Sequence, residues 1–249
     1  MGSEYLEGRH ALEEALAAGV PLQCVHASQA ALADARLSGM LGRARAQGIA
    51  VRQADAAFLN ARSSHGAHQG IVAEVAPYRY VGLDALVAAA AGKRDALILA
   101  CDHITDAGNF GAMLRSAEVV GATGALICNK RQAQVNTAVY KTSAGAVLHL
   151  PIALEANLAA SLKRLKEEGF WVVGASEHAT EVAWNAPLAG RIVLVMGSEE
   201  KGLAQLTVKT CDLLVKLPQV GKVESLNVAQ ATTALCYEWM RQCSAGASS

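Results

Sequence analysis

The chain is poor in aromatic residues and in charge, and it has no excess of either sign. Aromatics make up 4% of its 249 residues, too few for a sheet that stacks nucleic-acid bases on exposed rings. Lys and Arg number 22 against 22 Asp and Glu, so no bulk field announces a nucleic acid, a membrane surface or an acidic partner. Neither half is a basic module: residues 1–94 hold 9 basic and 8 acidic side chains, the remainder 13 and 14. No C-x-x-C pair occurs among the six cysteines, most of which sit in apolar runs; buried reduced thiols are expected, and no metal site. No stretch of about 18 apolar residues escapes charge or helix breakers, so no transmembrane helix is expected. The start, Met1-Gly2-Ser3-Glu4-Tyr5-Leu6, lacks the basic-then-apolar layout of a secretory signal, and a cytoplasmic protein is expected. What is present is apolar: 52% hydrophobic against 18% charged, which excludes a disordered chain and allows a sizeable core.

Helical and strand patterns alternate along the chain. Helices are expected over Leu12–Ala18 and Ala30–Gln47, the second closed by Gly48, and strands over Leu22–Ala27, Ile49–Gln53 and Gly70–Ala76. Residues 78–94 read as a linker carrying one short Ala-rich helix. Beyond it, Ala96–Cys101 is a continuous apolar run, as a strand buried on both faces should be. Similar strands are expected at Gly124–Cys128, Phe170–Ala175, Arg191–Met196 and Cys211–Leu217, before a long helix over Leu226–Gln242. The pattern predicts a mostly parallel α/β sheet in a larger domain (residues 95–249), preceded by a small α/β domain (residues 1–77).

Three polar segments follow buried strands. The first runs from Asp102 to Ala117, DHITDAGNFGAMLRSA. A capped strand-to-helix turn explains Asp106 and Gly108, with Asp106 or Asn109 as the cap. It does not explain Arg115, whose charge in an apolar helix needs a partner. The second, Val195–Leu203, brackets a polar turn with Gly197 and Gly202; it is either an ordinary loop or a place where backbone approaches a ligand or other backbone closely. The third, Leu217–Ala229, carries Ser225 as a natural N-cap for the last helix. Asn227 then either points into a site or is an exposed first-turn residue. A dinucleotide loop and a P-loop are both unmatched. Arg62, His65 and His68 form a loop that reads equally as a ligand contact or a solvated turn. Trp171 and Trp184 are expected to pack.

In this order and spacing, the three segments resemble the motifs of the TrmH/SpoU family of RNA 2'-O-ribose methyltransferases, and within it the members that act on a guanosine of 23S ribosomal RNA. The likeness extends to Tyr5–Ala11 and His68–Ile71, which resemble parts of the family's RNA substrate-binding domain, similar to ribosomal protein L30e. The resemblance implies a SPOUT-type sheet with a deep trefoil knot, a homodimer, RNA as partner and S-adenosyl-L-methionine as cofactor, with no metal. It places Asn109, Arg115, Glu199, Ser225 and Asn227 at the family's active-site positions, and Gly197, Leu217, Gln219, Ser225 and Leu226 around the cofactor. Arg115 is expected to grip an RNA phosphate, and Glu199 to organise Arg115 or its loop. His103 is not a position the family uses. The proton acceptor stays unassigned, since a guanidinium holds its proton above a pKa of ~12. The chain departs from the family at Ala107 (Pro preferred), Glu200 (Gly) and Gln219 (Met). The last two leave open a non-catalytic RNA-binding homologue with weakened cofactor affinity; transfer RNA and an antibiotic-resistance site in ribosomal RNA are alternative targets. With zero net charge, RNA must be held by a few placed cations, such as Arg9, Arg62, Arg115 and Lys141.

Overall fold

The computed structural model describes residues 4–63, 68–222 and 225–246. His65 lies outside them. The chain divides into two compact units, Met1–Arg79 and Tyr80–Ser249.

The first unit runs β1 (Glu4–Glu7), α1 (Arg9–Ala17), β2 (Leu22–Ala27), α2 (Gln29–Ala33), α3 (Ala35–Ala46), β3 (Ala50–Gln53), α4 (Ala56–Ala61) and β4 (Ile71–Val75). Its sheet has the order β1-β4-β2-β3 and is mixed: β4 pairs antiparallel with β1 and β2, while β2 and β3 are parallel. The single helix expected over Ala30–Gln47 is broken at Asp34. This residue takes an extended backbone, caps α3 by accepting from Arg36 N at 2.9 Å, and pairs with the Arg9 guanidinium at 3.0 Å. Local capping and a charge pair outweigh helix propensity there. Two of the cations expected for RNA are therefore engaged within this unit: Arg9 on Asp34, and Arg62 stacked 3.6 Å from the Phe58 ring centroid. His68 is also tied down, with Nε2 against Asn60 Oδ1 and Nδ1 accepting from Gly70 N.

The second unit continues with α5 (Leu83–Ala89), β5 (Ala96–Asp102), α6 (Ala107–Val119), β6 (Gly124–Cys128), α7 (Thr137–Thr142), β7 (Ile152–Glu155) and α8 (Leu158–Glu167). Then come β8 (Trp171–Ala175), β9 (Glu181–Val182), β10 (Arg191–Gly197), α9 (Gln205–Thr210), β11 (Leu213–Lys216) and α10 (Val228–Gly246). The sheet order is β7-β6-β5-β10-β8-β11-β9, and every pairing among the described residues is parallel. Ile98, Ala100, Leu126, Val172, Val193 and Val195 line one continuous core with Leu162, Leu165 and Phe170. The segment expected as a linker joins this core from Tyr80 onward. Leu83, Leu86 and Ala90 fall on one helical face and are buried in it, and Val81 bridges to Ala153. A side chain at Gly124 would come within 2.4 Å of Leu86, so glycine lets α5 seat against β6.

All six cysteines are free thiols. Burial pushes Cys101 up, and Cys211 and Cys236 up to about 12, which leaves them unreactive at neutral pH. Trp171 and Trp184, expected to pack, are 53% and 45% exposed. Among the described residues no helix is long and apolar enough to cross a membrane, and no cluster of His, Cys, Asp and Glu could hold a metal ion.

Strand order decides where the polar segments meet. β5 and β10 are neighbours, in register from Arg191 beside Ala96 to Gly197 beside Asp102. The first two motif loops therefore leave the sheet side by side at its carboxyl edge, where open α/β sheets bind ligands. β11, from which the third loop departs, is reached across β8.

Candidate active site

The first loop is anchored at both ends. Asp102 is 2% exposed, and its Oδ2 accepts from Ala204 N at 2.7 Å. Asp106 is the N-cap of α6, accepting from Asn109 N at 2.6 Å. Gly111 is a packing glycine: a Cβ there would lie 1.9 Å from Thr142 Oγ1 and 2.9 Å from Ser143 N, so it lets α7 press against α6. Ala107 holds the first helical position, behind an extended residue with ψ 121°. Proline suits that position and that preceding conformation. Ala107→Pro is expected to raise unfolding free energy by about 0.4–1 kcal/mol, read from urea melts, and to leave the site intact.

The second loop closes on itself. Ser198 N donates to Gly202 O at 3.1 Å, and Gly202 N donates to Ser198 O at 2.8 Å. A Cβ at Gly197 would meet Gly202 C at 2.3 Å, so the glycine serves a backbone-to-backbone approach. The positive φ of the loop falls on Gly202, at +62°. Glu200 is not among the residues with positive φ, so it is accommodated without left-handed strain.

The third loop corrects the expected cap. The last helix begins at Val228, and Asn227 rather than Ser225 caps it: Asn227 Oδ1 accepts from Ala229 N at 2.9 Å and Gln230 N at 3.4 Å. The cap occupies the amide oxygen and leaves Nδ2 free to reach across the loops. Nδ2 donates to Glu199 Oε1 at 2.7 Å and to Asn109 Oδ1 at 2.9 Å. Asn109 Nδ2 donates to the same Glu199 oxygen at 3.2 Å, and Val228 N does so at 3.3 Å. One carboxylate oxygen thus gathers donors from α6 and α10.

Of the five expected active-site residues, the fold brings Asn109, Glu199 and Asn227 together. Arg115 stands apart. It is exposed on α6 and makes no hydrogen bond or ion pair with the described residues. Of the two roles expected for Glu199, organising Arg115 or its loop, no contact with Arg115 is made among the described residues; Glu199 holds the two asparagines. Ser225 lies outside the triangle but on a cavity wall.

That cavity, about 460 Å³, is lined by all five residues expected around the cofactor: Gly197, Leu217, Gln219, Ser225 and Leu226. A second cavity of about 720 Å³ lies on the other side of the loop, with Asn109, Glu199, His103, Asp106, Arg131 and Lys201 on its walls. Ser198–Gly202 and Val228 border both. Sequence reasoning gave no role to Asp102, His103 or Arg131. Asp102 carried a signal, a carboxylate ending an apolar strand. Arg131 follows β6, and only the adjacency of β6 and β5 brings it to this edge.

Two cavities share one loop at the carboxyl edge of a parallel sheet, the place where open α/β proteins bind ligands. The model of the SpoU rRNA methylase family matches residues 96–237, and that of the RNA 2'-O ribose methyltransferase substrate-binding domain matches residues 5–81. An uncharacterized tRNA/rRNA methyltransferase of Mycolicibacterium paratuberculosis is 36% identical over 240 residues, 96% of this chain and 78% of the relative. The chain belongs to the SpoU rRNA methylase family. Among solved structures, the SpoU methyltransferase AviRb of Streptomyces viridochromogenes, in complex with AdoMet, superposes with a TM-score of 0.74 at 24% identity, over 97% of this chain and 90% of that one. An RNA 2'-O ribose methyltransferase superposes with a TM-score of 0.63 at 26% identity, over 96% and 88%.

Proposed function

We propose that this protein transfers a methyl group from S-adenosylmethionine to a ribose 2'-hydroxyl in RNA, on a guanosine of 23S ribosomal RNA. The observation that carries this reading is the Asn109–Glu199–Asn227 cluster, set on the loop between two cavities. The cavity bordered by Gly197 suits the methyl donor. Its volume, about 460 Å³, is in the range of small-molecule sites. Met196, Leu203 and Leu235 offer apolar wall, Gln219 and Ser225 offer hydrogen bonds, and Glu177 and Glu200 supply negative charge for a sulfonium. When bound there, the cofactor supplies a methyl on an already good leaving group, so the chain need only orient the acceptor and help remove a proton.

Arg115, without an ion pair among the described residues, can hold an RNA phosphate with two parallel hydrogen bonds and so place the ribose. Arg115→Lys keeps the charge and loses the fork. It is expected to lower kcat/KM for RNA by about 10-fold or more, with cofactor affinity unchanged by calorimetry. Near-normal turnover with unchanged RNA binding would sink the bidentate role. The knot and the homodimer implied by the resemblance belong to the same reading. Supporting the dimer, α6 and α10 pack side by side through Ser116 and Thr233, leaving Val119 and Tyr237 57% and 46% exposed.

Mapping 2'-O-methylation in total RNA from cells with and without this protein tests the function. One guanosine of 23S ribosomal RNA is expected to lose its methyl. Loss from a transfer RNA, or from another ribosomal site, keeps the chemistry and changes the target. An unchanged methylation map, with no calorimetric binding at millimolar cofactor, would favour the non-catalytic homologue. Glu200 carries no left-handed strain, which weighs against that alternative.

A further inference from the structure

The reaction needs a proton acceptor, and Glu199 of the cluster above has one oxygen already committed to three donors. A candidate lies on the wall of the second cavity. His103 follows β5, and its Nδ1 is 2.5 Å from Asp102 Oδ1. The other Asp102 oxygen is occupied by Ala204 N at 2.7 Å, and the carboxylate is buried by the sheet edge. A carboxylate only accepts, so Nδ1 carries the proton of that contact, and in the neutral ring Nε2 carries the lone pair. Nε2 has no hydrogen-bond partner among the described residues. The side chain is 44% exposed and borders the cavity with Asn109 and Glu199. Its backbone sits at φ +64°, a sparsely populated region for a non-glycine residue, kept where the surroundings impose it.

We propose that His103 is the general base of the reaction, with Asp102 as its positioning residue. The proposal rests on the methyl-transfer reading. As the ribose 2'-oxygen forms its bond to the methyl carbon, the carbon–sulfur bond breaks and its electron pair stays on sulfur. The 2'-hydroxyl proton passes to Nε2, and the imidazolium, held by Asp102, later returns it to water. The other charged groups on this cavity are Asp106 from α6, Arg131 after β6, and Glu199, Glu200 and Lys201 from the loop after β10. An acid limb in the pH profile must therefore be assigned by substitution.

Two variants suit the left-handed backbone. His103→Asn belongs to a residue type at home there and can still donate to Asp102, but it cannot take the proton. His103→Gly adopts the same φ and leaves space for free imidazole. The assay is transfer of tritiated methyl from S-adenosylmethionine to total RNA from cells lacking this protein, across about pH 5.5–9. His103→Asn is expected to lose about 100-fold or more in kcat, with KM values unchanged and the acid limb gone. Added imidazole is expected to restore part of the activity of His103→Gly, which a structural role would not do. The proposal is overturned if His103→Asn keeps the wild-type rate and profile, or if a His103→Gly protein that melts like wild type is inactive and is not rescued. A wild-type protein that transfers no methyl overturns the methyl-transfer reading itself, before either variant is compared.

Discussion

Replacing Glu199 with alanine is expected to cut methyl transfer by about 100-fold or more, the usual cost of losing a group that fixes charge and geometry at a reacting centre. The reason is local. Glu199 Oε1 takes Asn227 Nδ2 at 2.7 Å, Asn109 Nδ2 at 3.2 Å and Val228 N at 3.3 Å. Without it the Asn109 amide is free to turn, Asn227 is held only by its cap bonds, and the direct contact of 2.9 Å between them is no longer enforced. The cluster is open to solvent, so water replaces the lost acceptor, and unfolding free energy should fall by no more than about 1 kcal/mol. Glu199→Gln retains an acceptor oxygen, with hydrogen bonds about half as strong, and should lie between wild type and Glu199→Ala. Residues acting as a unit are not additive. Glu199→Ala combined with Asn227→Ala should therefore cost little more than the worse single variant. Initial rates with labelled cofactor, alongside urea melts, check all three. Wild-type turnover in Glu199→Ala would mean the triangle is a loop clasp without a part in the reaction.

Gly197→Ala should be the most damaging change to the cofactor cavity. A Cβ at this position meets Gly202 C at 2.3 Å, Gly202 O at 2.5 Å and Leu203 N at 2.5 Å. All three are backbone atoms and cannot rotate away, so the loop must open. Opening breaks the paired bonds between Ser198 and Gly202, of 3.1 and 2.8 Å, and carries Glu199 with it. The expected results are a loss of about 1–3 kcal/mol in stability and a fall in S-adenosylmethionine affinity of about 100-fold, or 2.7 kcal/mol. Gly221→Ala is the matched control, since a Cβ there meets nothing within 4 Å. Calorimetric titration of both variants decides the matter. Equal affinities would mean the loop tolerates opening and the cavity does not depend on it.

The elements that could be read from the sequence are those with strong local signals. β2 and β6 were expected with the bounds observed, and β5 and β10 within a residue; in β5, β6 and β10 the signal is an apolar run bounded by turns, as in strands buried on both faces. β9, of two residues, is too short to show a period, and β1 and β7, of four each, were also not expected. The helix expected over Ala30–Gln47 failed at Asp34, where a partner 25 residues away, Arg9, helps hold a break that composition does not mark. Ser225 and Asn227 are both good caps. Which one serves depends on where α10 can start, and that is set by burial of Val228 and Ala229.

The family resemblance named the residues that came to line the first cavity; the sequence by itself determined the alternation of strands and helices and the three polar loops at strand ends. These are local properties: periodicity, turn chemistry and motif spacing act between residues near one another in the chain. Only the tertiary structure decided that Asn109, Glu199 and Asn227 form one hydrogen-bonded group, that Arg115 has no ion-pair partner among the described residues, and that His103 faces a second cavity. Asn109 and Glu199 are 90 residues apart, Asn109 and Asn227 118. The parallel pairing of β5 with β10, which sets Gly197 beside Asp102, brings the first two loops within hydrogen-bond reach, and the packing of α10 against α6 brings Asn227 to them. Hydrogen bonds act over about 3 Å, and no spacing along the chain reports which distant residues will come that close.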